Sequence, residues 1–371
     1  MKLRILIPLL LLTFFGSTAT ELPDSLLRRY AAEMLIIGFR GDSVETDPDI
    51  HHYLKDIRPG GIILFDIDLT SGGGLGTRNI KNRAQLRHLT DEMKKMADYP
   101  LFIAVDQEGG LVQRLKPRYG FDRLPSAYHL GIEVNNPDST EFYARLMANQ
   151  LNDAGVNMNL APELDIHRPD CPVIGHLDRG YSANTDSVAF HAGITIKVLS
   201  DSGIIAVGKH FPGHGSAISD SHYGLTDVTS TWNENELTPF KKLIDSGELQ
   251  AIMTAHIFNR NIDPDFPATL SHSTLTGLLR DKLGFDGVII TDDMYMKGII
   301  DNYSIEQAVI MAINAGADMM IMGNNINTGY EADRPDKIIE IIVKAVKEGR
   351  IPEERLTDAH RRIERMQQQL H

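Results

Sequence analysis

The sequence predicts an α/β fold, a single-domain (β/α)8 TIM barrel, on three observations. There are eight short apolar runs of strand length, helical spacing between them, and polar side chains gathered at the C-terminal ends of the runs. The runs are Met34–Phe39, Gly61–Phe65, Leu101–Asp106, Val156–Ala161, Ile204–His210, Ala251–His256, Gly287–Asp292 and Ala317–Gly323. They recur about every 40 residues, room enough for a strand and a crossover helix. Near-continuous apolar strands, rather than alternating ones, belong to a parallel sheet covered on both faces. Lys81–Ala97, Thr140–Ala154, Ser187–Ser202, Glu236–Asp245 and Ile305–Ala315 place apolar residues at helical spacing. Gly155, Gly203 and Gly316 stop three of these segments directly before the next strand. Pro352–His371 reads as one amphipathic helix that packs on the barrel or extends past it.

Eight such units favour a closed barrel over an open doubly wound sheet. The polar residues agree, because Asp106, Asp165, Lys209-His210, His256 and Asp292-Asp293 fall at the ends of several different strands. Barrels build their sites from that whole ring, whereas an open sheet gathers its ligand at one crevice. No glycine-rich phosphate fingerprint follows the first run, which speaks against a dinucleotide site.

The chain's 371 residues, 42% hydrophobic and 23% charged, exclude a disordered, collagen-like or disulfide-stapled protein. Net charge is −13 with no basic block, which argues against nucleic acid or an anionic membrane surface as partner. Residues 1–20 read as a secretory signal peptide: Lys2 and Arg4, the apolar run Ile5–Phe15, then Gly16-Ser17-Thr18-Ala19. The apolar run is too short to span a bilayer. The one cysteine, Cys171, lies far from that junction and leaves neither an internal disulfide nor a lipid-anchoring thiol. An exported protein follows, periplasmic or secreted, with residues 21–371 as its single domain and nothing pointing to an obligate protein partner.

The candidate chemistry sits in three places. Lys209-His210-Phe211-Pro212-Gly213-His214-Gly215 opens a loop running to about Asn235, far beyond the two to six residues usual after a barrel strand. Within it Asp220 and His222 are two apart, so the carboxylate can take a hydrogen bond from one ring nitrogen and leave the other to exchange a proton. Alone, Asp-Ser-His is more often a solvated turn; on a long loop at the barrel mouth the functional reading leads. The seventh run ends Thr291-Asp292-Asp293, and a carboxylate closing a rigid strand suits a nucleophile. A cap or salt-bridge role suits Asp293 better than Asp292. The third run ends Asp106-Gln107-Glu108-Gly109-Gly110 with Arg114 beyond: paired polar groups that could grip sugar hydroxyls, or a Glu108 simply buried against an arginine. His210, His214, His222 and His256 invite a metal reading, but Pro212 and Gly213 keep His210 and His214 off a common helix face, so a catalytic metal is disfavoured.

These motifs together resemble glycoside hydrolase family 3, and the Asp220-Ser221-His222 element resembles its β-N-acetylglucosaminidase branch. The likeness covers nearly all of the chain after residue 20. It implies a (β/α)8 barrel, a retaining mechanism, no metal and no cofactor. It also implies Asp292 as nucleophile, His222 as general acid/base with Asp220 as its dyad partner, and Asp106, Arg114, Arg179, Lys209 and His210 as sugar-binding residues. The chain departs from the family pattern at Ser216-Ala217, where Asp-Thr is usual, and around Ile174–Tyr181, where extra residues precede Arg179. The implied reaction is removal of terminal non-reducing N-acetylglucosamine from peptidoglycan fragments or related glycans. The alternatives are a β-glucosidase of the same family, a phosphorylase using the same dyad, a metal-dependent barrel hydrolase and a non-catalytic sugar-binding barrel.

Overall fold

The computed structural model describes residues 22–220, 224–326 and 329–370. The expected leader, residues 1–20, lies outside them. Eight strands close a barrel in chain order: β1 (Leu35–Gly38), β2 (Gly61–Ile63), β3 (Phe102–Val105), β4 (Met158–Asn159), β5 (Ile205–Phe211), β6 (Ala251–Thr254), β7 (Val288–Asp293) and β8 (Met319–Met322). Each expected run coincides with one of them, β5 and β7 reaching one residue further, to Phe211 and Asp293. All neighbours run parallel, and the barrel shuts where Leu35 pairs with Met320 while Ile36 pairs with Gly61 on the other side. Every residue of β1, β3, β5, β6 and β8 is buried. That is why the runs show no alternation: one face fills the barrel and the other meets the helices.

The expected helices appear at Arg83–Met96, Pro137–Asp153, Thr185–Asp201, Thr238–Asp245 and Ile305–Ala315. In the first, Leu86, Leu89, Thr90 and Met93 turn inward, one helical face at i, i+3, i+4 and i+7. Side chains supply the caps: Asn82 accepts from Gln85 N, Asn184 from Asp186 N and Ser187 N, and Ser304 forms a reciprocal box with Gln307. Each such cap is worth about 1 kcal/mol. The helix expected from Glu236 starts instead at Thr238, after a 3-10 turn over Glu234–Leu237 capped by Asn233. Pro239 sets that boundary, because its missing N–H is harmless only in a helix's first turn. Gly155 and Gly203 leave their helices at φ +72° and +73°, as the stop signals required.

Helices Asp24–Glu33 and Arg334–Lys347, which the sequence reading had not singled out, pack together with Glu353–Gln367. The last, expected from the tail, buries Leu356, Ala359, Ile363 and Met366 against the barrel. Its Arg355 and Arg362 reach Asp318 just before β8, and Arg280 grips the same carboxylate at 2.5 Å. The N-terminal rim is thus tied shut by ion pairs, and the opposite rim is left for chemistry. Among the described residues no helix is long and apolar enough to cross a membrane.

Candidate active site

At the C-terminal rim a chain of alternating charges links three strand ends. Asp106, directly after β3, takes Lys209 Nζ on Oδ1 and Arg114 Nη2 on Oδ2, both at 3.0 Å. Lys209 reaches on to Glu108 at 2.6 Å, and Glu108 receives both arms of Arg179 at 2.8 Å. Arg179 also lies 2.5 Å from Glu163, a charge contact not aligned as a hydrogen bond. His210 closes the chain, its Nδ1 2.8 Å from Asp165, whose other oxygen accepts His214 N at 2.6 Å. Arg114 is held by the short antiparallel hairpin after β3: Gln107 Oε1 accepts the amides of Arg114 and Leu115, and Asn159 at the end of β4 pins Gln107 through its backbone.

Burial works against the charges of Asp106, Lys209 and His210, and their neighbours decide the outcome. Burial disfavours the Asp106 carboxylate, but the Lys209 ammonium and Arg114 guanidinium outweigh it and hold the carboxyl far below its ordinary range. Lys209, buried between Glu108 and Asp106, is held above its ordinary value by those two carboxylates. His210 would lose its proton on burial alone; Glu163 and Asp165 push it up to about 10, so it is an imidazolium at neutral pH. Burial, then that imidazolium, push His214 down to about 3 and keep it neutral. The two histidine rings sit 5.9 Å apart, one charged and one not.

Asp292 and Asp293 end β7. A register shift beside β8 between Thr291 and Asp293 marks a local irregularity there. Asp292 Oδ1 accepts Asp293 N at 2.7 Å, which fixes one carboxylate oxygen to the backbone. Asp293 Oδ1 accepts Tyr295 N at 3.0 Å, the turn-capping role its position suggested. Burial, and then the charge of Asp292, push Asp293 up to about 6. His256 donates from Nε2 to Asp293 O at 3.0 Å and meets Thr269 Oγ1 through Nδ1, so this histidine braces the carboxylate-bearing turn.

A cavity of about 210 Å³ opens at this rim. Asp292, Asp293, Asp106 and Arg114 line it, together with Asp66 and an apolar wall that includes Phe65, Leu160 and Met296. Polar groups converging on an apolar hollow of this kind orient a small polyhydroxylated ligand by a few directed hydrogen bonds. The structure therefore brings Asp292, Asp106 and Arg114 to one cavity, with Lys209 bonded to Asp106 behind it. His210 and Arg179 are buried in the charge chain and are not among the cavity-lining residues. Glu108 is, as one of its two expectations held, buried against an arginine. Asp220 stands on the long loop after β5, and His222 lies outside the described residues.

That loop has a small core of its own. Ala217 and Val228 pack with Cys171, Ile174, Ala255 and Ile257, flanked by Trp232. Thr226–Asp227 pairs with Ile257–Phe258 from the loop after β6. Sequence reasoning missed Asp66, which lines the cavity while ion-paired to Lys116 and bonded to Tyr119 at 3.2 Å. The signal was present: Asp66 directly follows the apolar run Gly61–Phe65, three residues past the end of β2. Glu163, Asp165 and His210 offer ligand atoms within 4.8 Å of one another. A dication there would have to displace the His210 proton and compete with Arg179, so the donor set fits charge pairing better than metal binding.

Carboxylates and cations ringed around a cavity of sugar size at the mouth of a (β/α)8 barrel are an arrangement that glycoside hydrolysis, with its pair of acidic catalytic groups, can use. Residues 27–366 match the model of the glycosyl hydrolase family 3 N-terminal domain. The chain is 38% identical over 285 residues to a β-hexosaminidase of Tolumonas auensis, covering 76% of this chain and 80% of the relative. It is 39% identical over 274 residues to one of Photobacterium profundum, covering 74% and 77%. Among solved structures it superimposes on a family 3 β-N-acetylglucosaminidase from Paenibacillus sp. with TM-score 0.82 and 32% identity, covering 92% of this chain and 62% of that longer one. The chain belongs to glycosyl hydrolase family 3: it is a glycoside hydrolase, and the relatives it matches over most of their length are β-hexosaminidases.

Proposed function

We propose that this protein is a retaining exo-β-N-acetylglucosaminidase that removes terminal non-reducing N-acetylglucosamine from peptidoglycan fragments or related glycans. The observation that carries the reading is the convergence of Asp292 with Asp106 and Arg114 on one cavity at the barrel's C-terminal rim. Asp292 attacks the anomeric carbon to form a glycosyl-enzyme while His222, its tautomer fixed by Asp220, protonates the departing oxygen; the same histidine then takes a proton from the incoming water. Asp106, held ionised by Lys209 and Arg114, accepts from sugar hydroxyls, and Arg114 donates to them. Lys209, His210 and Arg179 keep that charge pattern in place. The leader-like residues 1–20 support export, with residues 21–371 acting as the catalytic domain outside the cytoplasm.

The test is release of nitrophenol from 4-nitrophenyl N-acetyl-β-glucosaminide, compared with the plain β-glucoside and repeated with EDTA. Turnover confined to the acetamido sugar and indifferent to EDTA supports the proposal. Equal turnover of the glucoside moves the enzyme to the β-glucosidases of its family. A product that becomes a sugar phosphate when phosphate is added makes it a phosphorylase.

A further inference from the structure

Glu236 lies outside the cavity, yet it anchors the base of the loop that carries Asp220 and His222. It is 1% exposed. Its Oε1 accepts Ser216 Oγ at 2.5 Å from the loop and Asn233 N at 3.4 Å within its own capping turn. Its Oε2 is buried and has no hydrogen-bond partner among the described residues. Gly213, at φ +119°, passes so close that a Cβ there would stand 2.8 Å from Glu236 Cβ and 3.0 Å from Oε2. The chain's one tryptophan, Trp232, donates from Nε1 to Pro212 O at 3.0 Å beside the same contact.

We propose that Glu236 is a proton-dependent positioning residue: neutral, it seats the Pro212–Ser216 base of the acid/base loop, and ionised, it loosens that seat. The inference rests on the reading of His222 as acid/base. A buried carboxyl with one unpartnered oxygen is comfortable only while it carries a proton. Burial is the main force raising its proton affinity, up to about 7; Asp165 adds to it, while Ser216, Asn233 N and Arg168 oppose it. Asp165 and Arg168 come from the segment after β4, and among the described residues the groups that the loop and the capping turn bond to the carboxyl are neutral, Ser216 and the Asn233 amide. Above neutrality the carboxylate gains charge in a dry site next to Asp165, and the relief available is movement of the loop base away from it.

Trp232 reads this directly. Its fluorescence, followed from pH 5.5 to 8.5 in the full chain, should show a transition near neutrality that Glu236→Gln abolishes. Ser216→Ala, which removes a donor to the ionised form, should move the transition to higher pH. In kinetics, log(kcat/KM) for a sugar leaving group should fall at alkaline pH with a slope approaching about two in the parent, from His222 and Glu236 together, and about one in Glu236→Gln. A flat parent fluorescence titration, or a transition that survives Glu236→Gln, overturns the proposal. Should Glu236→Gln fail to fold, Ser216→Ala carries the test, and an unmoved transition there also overturns it. Failure of the acid/base reading looks different: His222→Ala then loses activity equally on nitrophenyl and sugar leaving groups, whatever Glu236 does.

Discussion

Lys209→Met removes the cation shared by Asp106 and Glu108 while keeping the apolar stem. Lys209 is buried, with its ammonium 3.0 Å from one carboxylate and 2.6 Å from the other. At an effective dielectric of about 20, each contact is worth about 5–6 kcal/mol of gross Coulomb energy. Burying the ammonium offsets several kcal/mol of that sum, so the expected net loss is about 3–5 kcal/mol, the usual result of stranding one side of a buried pair. For a chain of this length the unfolding entropy converts each kcal/mol into roughly 1.4 °C, which predicts a Tm lower by about 4–7 °C. The loss should shrink toward pH 4–5, where Asp106, left with Arg114 as its one cation, takes up a proton more readily; in the parent Asp106 stays ionised through that range. Glycosidase activity should fall with it, because Asp106 loses one of the two cations that aim it at the cavity. Differential scanning calorimetry at pH 5 and pH 7, paired with kcat/KM, is the assay. A Tm change under about 1 °C at pH 7, or a loss independent of pH, would refute the view that this chain of charges is held together by mutual compensation.

Three further outcomes are expected. Asp292→Asn should lower kcat by at least about 10³-fold with the fold intact, read by circular dichroism and nitrophenol release, since the side chain keeps its size and loses its nucleophilic charge. His222→Ala should cost a nitrophenyl substrate much less than a sugar leaving group, because only the poorer leaving group needs a proton in the transition state; equal losses would remove His222 from the acid role. His214 is held neutral down to about pH 3 when folded and titrates near its ordinary 6.5 when unfolded, so its stability contribution is complete above about 6.5 and is lost as pH falls from there toward 3. His214→Gln should therefore flatten the acid side of the urea-midpoint profile between pH 6.5 and 4, and an unchanged slope would show that other groups set it.

The barrel was legible because its causes are local and periodic. A strand buried on both faces must be apolar throughout, and each expected run from Met34–Phe39 to Ala317–Gly323 coincides with a strand for that reason. The start of the helix at Thr238 was missed by two residues because helical spacing does not reveal where a proline's missing N–H becomes tolerable. The helix Arg334–Lys347 shows the reverse: its apolar face becomes meaningful once it has Asp24–Glu33, from the other end of the chain, to pack against. Asp66 carried the same positional signal, an aspartate directly after an apolar run, but its part in the cavity appears only once Lys116 and Tyr119 have folded against it.

Chemical inventory and order along the chain were written in one dimension: strands, stops, a strand-end nucleophile candidate, an unusually long loop. The state of each charged group was not. Whether His210 is a cation or Asp106 ionised depends on opposite charges that stand within about 3 Å only after more than forty residues of intervening chain have folded back, and His214 is neutral because the closed barrel buries it beside the His210 imidazolium. Arg179 illustrates the difference. Its sequence context could not place it, and folding put it between Glu108 and Glu163, where it neutralises carboxylates from two strand ends. Apolar periodicity acts residue by residue along the chain, whereas electrostatic energy belongs to pairs, and pairs exist only once the barrel has closed.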